Sequence, residues 1–301
     1  MIVRRASLSA LVLALGVAAT AAQTPTPPAP MRFGAVSFYN PRVMYLKYQP
    51  VVDYLSEHTP YRWELVVLSS YEETVDALCS GRLAMAYLGP LTYVRAHARC
   101  GALPLVRLNT GGSATYQTLI MVRRDSTIAS VAELAGKSIG FGAPLSTSSH
   151  LMPRSMLLAA GLKPGADVRC VYYSHHERAA RAVTLGEVDA CGIRDIVGQK
   201  FEQRGLRVLA ASSPMPNFPL AMTADAPREL RRAVVQALVA LPENDSAEKR
   251  LIADWDEEFN GGFAIASDDE FDVIRRLAEL VFGKGYLTLD ESALRCGEER
   301  R

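Results

Sequence analysis

The feature that most constrains the fold is a repeated alternation of short β-like runs with segments of helical spacing. The first β-like runs are Met31–Tyr39, Arg62–Ser69 and Leu83–Gly89, and the helical segments between them are Pro50–His58 and Tyr71–Ser80. In such β-α-β-α-β order the helices connect parallel strands and cover both faces of the sheet. The first third of the chain therefore predicts an α/β unit with a mainly parallel sheet.

The pattern restarts near residue 115 and ends in helices. Further strands are predicted at Thr115–Arg124, Ser138–Gly142, Val168–Tyr173, Val188–Ile193 and Leu206–Ser212, and late helices at Arg228–Leu241, Ala247–Phe259 and Asp268–Phe282. We expect two α/β lobes, with the chain crossing out near Thr115–Arg124 and back near Pro214–Pro219. This assigns 31–118 and 215–301 to lobe 1 and 119–214 to lobe 2. A cleft between two such lobes favours a small ligand.

The N-terminus has the pattern of an export signal. Two arginines precede the apolar stretch Leu8–Ala18, and small residues then place a cleavage site near Ala21–Gln23. The apolar stretch is short for a membrane span. We predict a signal peptide at 1–22, a proline-rich extended linker at 23–30, and an exported, periplasmic protein.

Charge and cysteine usage limit the class of partner. The 33 basic and 32 acidic residues nearly cancel, and no basic block occurs, which argues against nucleic acid. No cysteine or histidine spacing indicates zinc, and no cofactor is expected. In an oxidising compartment the cysteines pair. The spacing suggests the local bridges Cys79–Cys100 and Cys170–Cys191 and leaves Cys296 spare, although spacing alone does not fix connectivity.

Four consecutive hydroxyl residues, Ser146–Ser149, follow a predicted strand and precede a helix-like run. We call them the hydroxyl row. One hydroxyl suffices to cap a helix. Several of them, beside the unpaired N–H groups of a first turn, can also bind an oxyanion. From this stretch alone, two interpretations remain open: an anion-binding site, or a helix N-cap with more hydroxyls than capping requires.

Tyrosines and histidines near predicted strand ends are further candidates. The tyrosines are Tyr39, Tyr71, Tyr93 and Tyr116. Ligands of open α/β sheets bind at such strand ends. A tyrosine there can pack its ring against a ligand and donate one hydrogen bond from its hydroxyl. His175 and His176 open a predicted helix, and either could donate to an oxyanion or lie in solvent.

One apparent catalytic motif has the wrong context. "GKSIG" matches G-x-S-x-G with Ser138 at its centre. A hydrolase elbow needs a strand before the serine and a helix after it. Here a helix-like run comes before and a strand after, so Ser138 more simply opens a strand. An enzyme using Ser138, or the hydroxyl row with His176, also lacks a third group to orient the histidine.

Together the motifs resemble the periplasmic phosphate/phosphite/phosphonate-type (PhnD-like) substrate-binding proteins of ABC importers. The matching stretches are "SSYEETVDALCSGRLAMAYLGPLTYVRA", "GGSATYQTLIMVRRDSTIASVAELAGKSIGFG", "PLSTSSHLMPRSML", "HHERAARAVTLGEVDACGI", "SSPMPNFPLAM" and "GFAIASDDEFDVIRRL". The resemblance implies a type II periplasmic binding fold, whose two lobes close over a tetrahedral oxyanion. It implies a non-enzymatic, monomeric protein that docks on a membrane permease.

The resemblance also assigns ligand contacts. Tyr71 and Tyr116 would approach from lobe 1 and the crossover, and His176 from lobe 2. The rest of the implied set is Ser146, Thr147 and Ser148, with Tyr93 and Asp195 as looser matches.

Several positions depart from the family pattern. Ser149 and His150 follow the row where the family has glycine after Ser-Thr-Ser, and Ala84 replaces an acidic residue that lobe 2 keeps as Asp189. Aminophosphonate binders of the family place carboxylates around the ligand amine. This chain has Asn217 and Phe218 after "SSPMP", leaving Asp195 as the main acidic candidate. We therefore expect phosphate, phosphite or a simple phosphonate.

A second function uses the same fold. Related proteins serve as ligand-sensing subunits of two-component histidine kinases, and some bind arsenite through cysteine. A free thiol among Cys79, Cys100 and Cys296 would favour that version, and bridged cysteines would weaken it.

Overall fold

The computed structural model describes residues 29–36, 39, 41–110, 112–241, 255, 257–259 and 261–296. The predicted signal peptide, most of the predicted linker and most of the predicted helix Ala247–Phe259 lie outside the described residues. No helix within the described ranges is both long enough and apolar enough to cross a bilayer.

Strands and helices alternate along most of the described chain. The strands are β1 (Met31–Ala35), β2 (Trp63–Val67), β3 (Met85–Tyr87), β4 (Leu103–Leu108), β5 (Thr115–Tyr116), β6 (Thr118–Arg123), β7 (Ser138–Phe141), β8 (Arg169–Tyr172), β9 (Ala190–Arg194), β10 (Leu206–Ala211), β11 (Met215–Pro216), β12 (Pro219–Met222) and β13 (Phe263–Ile265). The α-helices are α1 (Pro41–His58), α2 (Tyr71–Cys79), α3 (Pro90–Cys100), α4 (Met152–Ala159), α5 (His176–Thr184), α6 (Asp195–Glu202), α7 (Arg228–Val239) and α8 (Asp272–Phe282).

The strands form two sheets, each at the centre of one lobe. The first has the order β13-β4-β12-β3-β1-β2, and the second has the order β10-β6-β9-β7-β8. Strand β1 is parallel to β2 and β3, and β7 is parallel to β8 and β9, whereas β12 and β6 run antiparallel to their neighbours. This is the predicted two-lobe α/β fold. Strands β6 and β12 each follow a crossing between the lobes, and the edge strand β13 also runs antiparallel to its neighbour β4.

A two-stranded ribbon links the lobes. Strand β5 leads out of the first sheet towards β6, and β11 leads back towards β12. The two pair antiparallel, with Tyr116 opposite Met215 and Thr115 opposite Pro216. The ribbon therefore places Tyr116 between the lobes.

Local sequence explains where the site-forming helices begin. Helix α3 follows Gly89, starts at Pro90, and ends at Gly101 in the left-handed conformation with φ 64°. The Ser70 side chain caps α2 by accepting from the Glu73 backbone N–H at 3.0 Å. Helix α1 begins at Pro41, nine residues earlier than predicted, with Pro50 inside it. Burial of Met44 and Tyr48 on the core side of α1 stabilises this earlier part.

Residues 283–296, the C-terminal strap, run from the end of α8 to the second lobe. The strap ends in a disulfide between Cys170 of β8 and Cys296. The Arg154 guanidinium donates to the Leu294 carbonyl at 2.6 Å, and the Cys296 N–H donates to the Tyr172 hydroxyl at 2.8 Å. The strap is thus a further connection between the lobes.

The disulfides correct one sequence prediction. Cys79 and Cys100 are bridged as expected and join α2 to α3. The predicted Cys170–Cys191 bridge is wrong, because Cys170 pairs with Cys296 and Cys191 is a buried free thiol. Strand β7 lies between β8 and β9, so Cys170 and Cys191 are two strand spacings apart, roughly 9–10 Å, beyond disulfide reach. They also face opposite sides of the sheet, since Cys191 and Cys170 pack in different apolar clusters.

Candidate functional site

The hydroxyl row forms a buried turn between β7 and α4. Residues Thr147–Leu151 make one turn of π-helix, and all four hydroxyl residues are at most 1% exposed. The Ser146 hydroxyl oxygen accepts from the Ser149 N–H at 3.1 Å, which caps the turn. Single π-helical turns are frequent at functional sites because they redirect side chains.

Ser149 anchors the row to the second sheet. Its hydroxyl donates to the Gly192 carbonyl at 2.5 Å and accepts from the Gly142 N–H at 2.8 Å. A Cβ at Gly142 would lie 2.9 Å from Ser149 Cβ, and one at Gly192 would lie 2.2 Å from Pro153. The two glycines let the row approach β7 and β9 closely, so Ser149 is structural.

The other three hydroxyls face outward from the second sheet. Thr147 Oγ1 accepts from the Leu91 N–H of the first lobe at 2.8 Å. Ser146 Oγ lies 3.2 Å from His176 Nε2, and the Tyr71 hydroxyl is hydrogen-bonded to Ser146. Ser148 Oγ is buried and has no hydrogen-bond partner among the described residues.

Tyr116 completes this side of the cleft from the linking ribbon. Its hydroxyl lies beside Ser148 and Thr147 without a hydrogen bond of normal geometry. Burial raises the pKa of both Tyr116 and Tyr71, so both phenols remain protonated donors at neutral pH. The structure therefore places two buried hydroxyls, those of Ser148 and Tyr116, side by side with unused hydrogen-bonding capacity.

His176 is a neutral donor. The Arg194 backbone N–H donates to its Nδ1 at 3.3 Å, so the proton of the neutral ring belongs on Nε2, facing Ser146. Burial, together with the charge of Arg194, lowers the pKa of His176 to about 3. The imidazole thus offers an N–H without a buried positive charge. We call Tyr71, Tyr116, Ser146, Thr147, Ser148 and His176 the interlobe site.

Five helices begin around this site. Tyr71 is the first residue of α2, Leu91 the second of α3, and His176 the first of α5. The hydroxyl row leads into α4, and Arg194 immediately precedes α6. The positive ends of these helix dipoles converge on one buried place, an arrangement that attracts an anion.

Sequence reasoning missed Arg194, which is 1% exposed beside the site. Its guanidinium donates to Glu258 Oε2 at 2.8 Å and to Asn217 Oδ1 at 2.9 Å. Its Cζ lies 4.9 Å from the Tyr116 ring centroid and 4.4 Å from that of Phe218. Its position at the carboxyl end of β9 was the available signal, but its partner Glu258 is too distant in sequence to be inferred.

Three predicted residues lie apart from this cluster. The Tyr93 hydroxyl donates to Asp268 at 2.5 Å and its ring packs on Phe271, within the first lobe. Asp195 Oδ2 accepts from the Gln117 N–H at 2.8 Å, and its carboxylate lies 3.9 Å from the Arg194 guanidinium. Tyr39 lines a separate groove of about 490 Å³ with His175 and Tyr173.

Two further residues from the sequence analysis have structural partners. The Ser138 hydroxyl donates to Asp189 at 2.6 Å at the start of β7, rather than to a histidine. His150 is buried, with Nδ1 2.7 Å from the Pro144 carbonyl and Nε2 2.8 Å from the Tyr172 hydroxyl. Over the described ranges, no group of three or more His, Cys, Asp or Glu side chains is arranged to hold a metal.

The chain belongs to the family of periplasmic substrate-binding proteins of phosphonate ABC transporters, whose model matches residues 33–271. The phosphate-import protein PhnD of Mycolicibacterium smegmatis is 29% identical over 174 residues, which are 54% of this chain and 54% of the relative. This chain therefore spans about half the length of that curated relative.

Solved structures agree on the fold. A binding-protein component of an ABC phosphonate transporter from Pseudomonas aeruginosa has a TM-score of 0.75 at 21% identity, covering 88% of this chain and 92% of that one. Prochlorococcus marinus PhnD1 in complex with methylphosphonate has a TM-score of 0.74 at 15% identity, covering 84% and 98%. Both support the two-lobe periplasmic-binding-protein architecture.

Proposed function

We propose that this chain is an exported binding protein that captures a tetrahedral oxyanion of phosphorus in the interlobe site for an ABC importer. The observation that carries the proposal is the buried pair of hydroxyls on Ser148 and Tyr116, surrounded by the N-termini of five helices. A bound oxyanion would accept from these hydroxyls and from His176 Nε2. Neutral donors in a buried site stabilise an anion without adding buried charge.

The surroundings of Arg194 favour a ligand without an amine. Glu258 lies at this end of the cleft, and its Oε2 is held by Arg194 and by the Tyr87 hydroxyl at 2.6 Å. The Asn217 oxygen is held by Arg194 as well. A ligand ammonium group here would meet a guanidinium instead of a free carboxylate. Phosphate, phosphite and a simple phosphonate fit this arrangement.

The proposed organisation has two lobes that close on the ligand. We place the lobe limits at 31–118 with 215–301 and at 119–214, with a monomeric protein exported after cleavage near Ala21–Gln23. An ABC permease is the proposed partner. The arsenite-sensing alternative loses its chemical basis, because Cys79, Cys100 and Cys296 are all in disulfides.

Calorimetric titration of the exported protein tests the ligand class. The panel is phosphate, phosphite, methylphosphonate, 2-aminoethylphosphonate and sulfate. We expect 1:1 binding of at least one of the first three, and 2-aminoethylphosphonate to bind more weakly. Tight binding of 2-aminoethylphosphonate, with no binding of phosphate or phosphite, would overturn the proposed ligand class.

A further inference from the structure

A cavity of about 270 Å³ adjoins the interlobe site. Tyr71 belongs to both, because it lines the cavity and is hydrogen-bonded to Ser146. The cavity lies beyond the loops that follow β2, β7 and β8, whereas Arg194 is the last residue of β9, on the other side of β7. It is therefore distinct from the end of the cleft that Arg194 occupies.

The C-terminal strap supplies the charged groups of this cavity. Glu291 and Arg295 both line it, together with Ser70, Ala143 and Tyr173. The disulfide of Cys296 holds the strap in place directly after Arg295. The two side chains carry opposite charges, so the cavity as a whole favours an uncharged polar group.

Glu291 provides an unused acceptor. Its Oε1 is buried and has no hydrogen-bond partner within the described part of the chain. Burial raises the pKa of the Glu291 carboxyl group, although a hydrogen bond from the Glu72 backbone opposes this effect. A buried acceptor without a partner costs free energy, which a ligand donor would recover.

We propose that this cavity binds a short hydroxyalkyl group attached to the ligand phosphorus, with the ligand hydroxyl donating to Glu291. The inference rests on the proposed function, because the phosphorus must first occupy the interlobe site. The substrate class is then a small hydroxyalkylphosphonate. Tyr71 lies at the junction of the two parts, where the bond from phosphorus to carbon would pass.

Two substitutions test the cavity by calorimetry, with phosphite, methylphosphonate, 2-hydroxyethylphosphonate and 2-aminoethylphosphonate as probes. Ala143→Leu adds bulk to the cavity wall and should weaken 2-hydroxyethylphosphonate binding tenfold or more while leaving phosphite binding unchanged. Glu291→Leu removes the acceptor and should weaken only the hydroxyethyl ligand, by about tenfold or more for one hydrogen bond to a charged group. Glu279→Leu, on the exposed face of α8, is the matched control and should change none of the affinities.

The outcomes separate the two proposals. If neither phosphate nor any of the probes binds the unmodified protein, both the proposed function and this inference are wrong. If phosphite binds but both substitutions leave 2-hydroxyethylphosphonate binding unchanged, only the cavity assignment is wrong. Equal weakening of phosphite and 2-hydroxyethylphosphonate by Glu291→Leu also contradicts it. If 2-aminoethylphosphonate binds more tightly than the hydroxyl analogue, the cavity selects a cation and the hydroxyl assignment is wrong.

Discussion

At the scale of single residues, adjacent hydroxyls of one turn have different roles. Ser149 bonds to its own lobe, through Gly142 and Gly192. Thr147 bonds to the opposite lobe, through Leu91. Ser148 has no partner among the described residues. The sequence predicted the row as a whole, but the separate role of each hydroxyl depends on contacts made by residues far away in the chain.

Alanine substitutions should separate binding from stability within the row. Ser148→Ala should weaken oxyanion binding tenfold or more, because a hydrogen bond to a charged group contributes about 1.5–3 kcal/mol. It should leave the free energy of unfolding of the ligand-free protein unchanged or slightly higher. Ser149→Ala should lower that free energy by about 1–3 kcal/mol, because two buried backbone groups lose their partner. Calorimetry and urea unfolding measure the two effects, and equal destabilisation by both substitutions would contradict the assignment.

The neutral state of His176 predicts a pH dependence of stability. The folded-state pKa of about 3 lies below the ordinary value of 6.5, so the unfolded chain takes up a proton that the folded protein does not. Stability is therefore lost as pH falls below about 6.5, by about 2 kcal/mol between pH 7 and pH 5 for each such histidine. His150, with its pKa also lowered to about 3 by burial, contributes in the same direction.

Urea unfolding of the ligand-free protein at pH 7 and pH 5 checks this sign. The His176→Asn variant should show a pH dependence smaller by about 2 kcal/mol than that of the parent protein. An unchanged pH dependence would mean that His176 is protonated or accessible to water in the folded state.

At the scale of elements, local pattern predicted most strands and helices but not their long-range partners. The strands around "SIGF" and "ACGIR" were predicted close to their observed positions as β7 and β9. The Cys170–Cys296 bridge was not predicted, because its cysteines are 126 residues apart and are brought together by the C-terminal strap. The π-helical turn was also missed, since its geometry follows from the close contact of Ser149 with β7 and β9.

Thiol counting tests the corrected disulfide pattern. Cys191 is fully buried on β9, and burial raises the pKa of its thiol, so it should not react with a thiol reagent in the native protein. One thiol should react after denaturation without reductant. Three or more reactive thiols, or one in the native state, would contradict the assignment.

The two bridges should also differ in their contribution to stability. Cys170 and Cys296 are 126 residues apart, and Cys79 and Cys100 only 21. By loop entropy, the double substitution Cys170→Ala with Cys296→Ala should cost about 5 kcal/mol, and Cys79→Ala with Cys100→Ala about 3 kcal/mol. Chemical unfolding of both variants measures the difference. A smaller loss of unfolding free energy for the Cys170/Cys296 variant than for the Cys79/Cys100 variant would contradict this prediction.

At the scale of the whole molecule, a few buried polar contacts join the lobes across the cleft. Arg194 of the second lobe pairs with Glu258 of the first, and both are nearly fully buried. Removing one partner of a buried ion pair leaves an uncompensated charge at a cost of about 3–5 kcal/mol. Opening the cleft relieves this cost by exposing the charge to water.

Glu258→Ala should therefore shift the ligand-free protein towards an open form with a larger radius of gyration, measured by small-angle X-ray scattering. A saturating oxyanion should restore the compact form, because closure is then favoured by binding. The adjacent Glu257→Ala is the control, since the Glu257–Lys200 pair is partly exposed and contributes little. Identical scattering from both variants would show that the buried pair does not hold the lobes together.

The position of phosphorus in a complex tests the central claim most directly. A crystal structure with methylphosphonate should place the phosphonate oxygens about 2.5–3.0 Å from the Ser148 and Tyr116 hydroxyl oxygens and close to His176 Nε2. The methyl group should point towards the cavity beside Tyr71. A ligand bound elsewhere, with Ser148 and Tyr116 making no contact to it, would contradict the account.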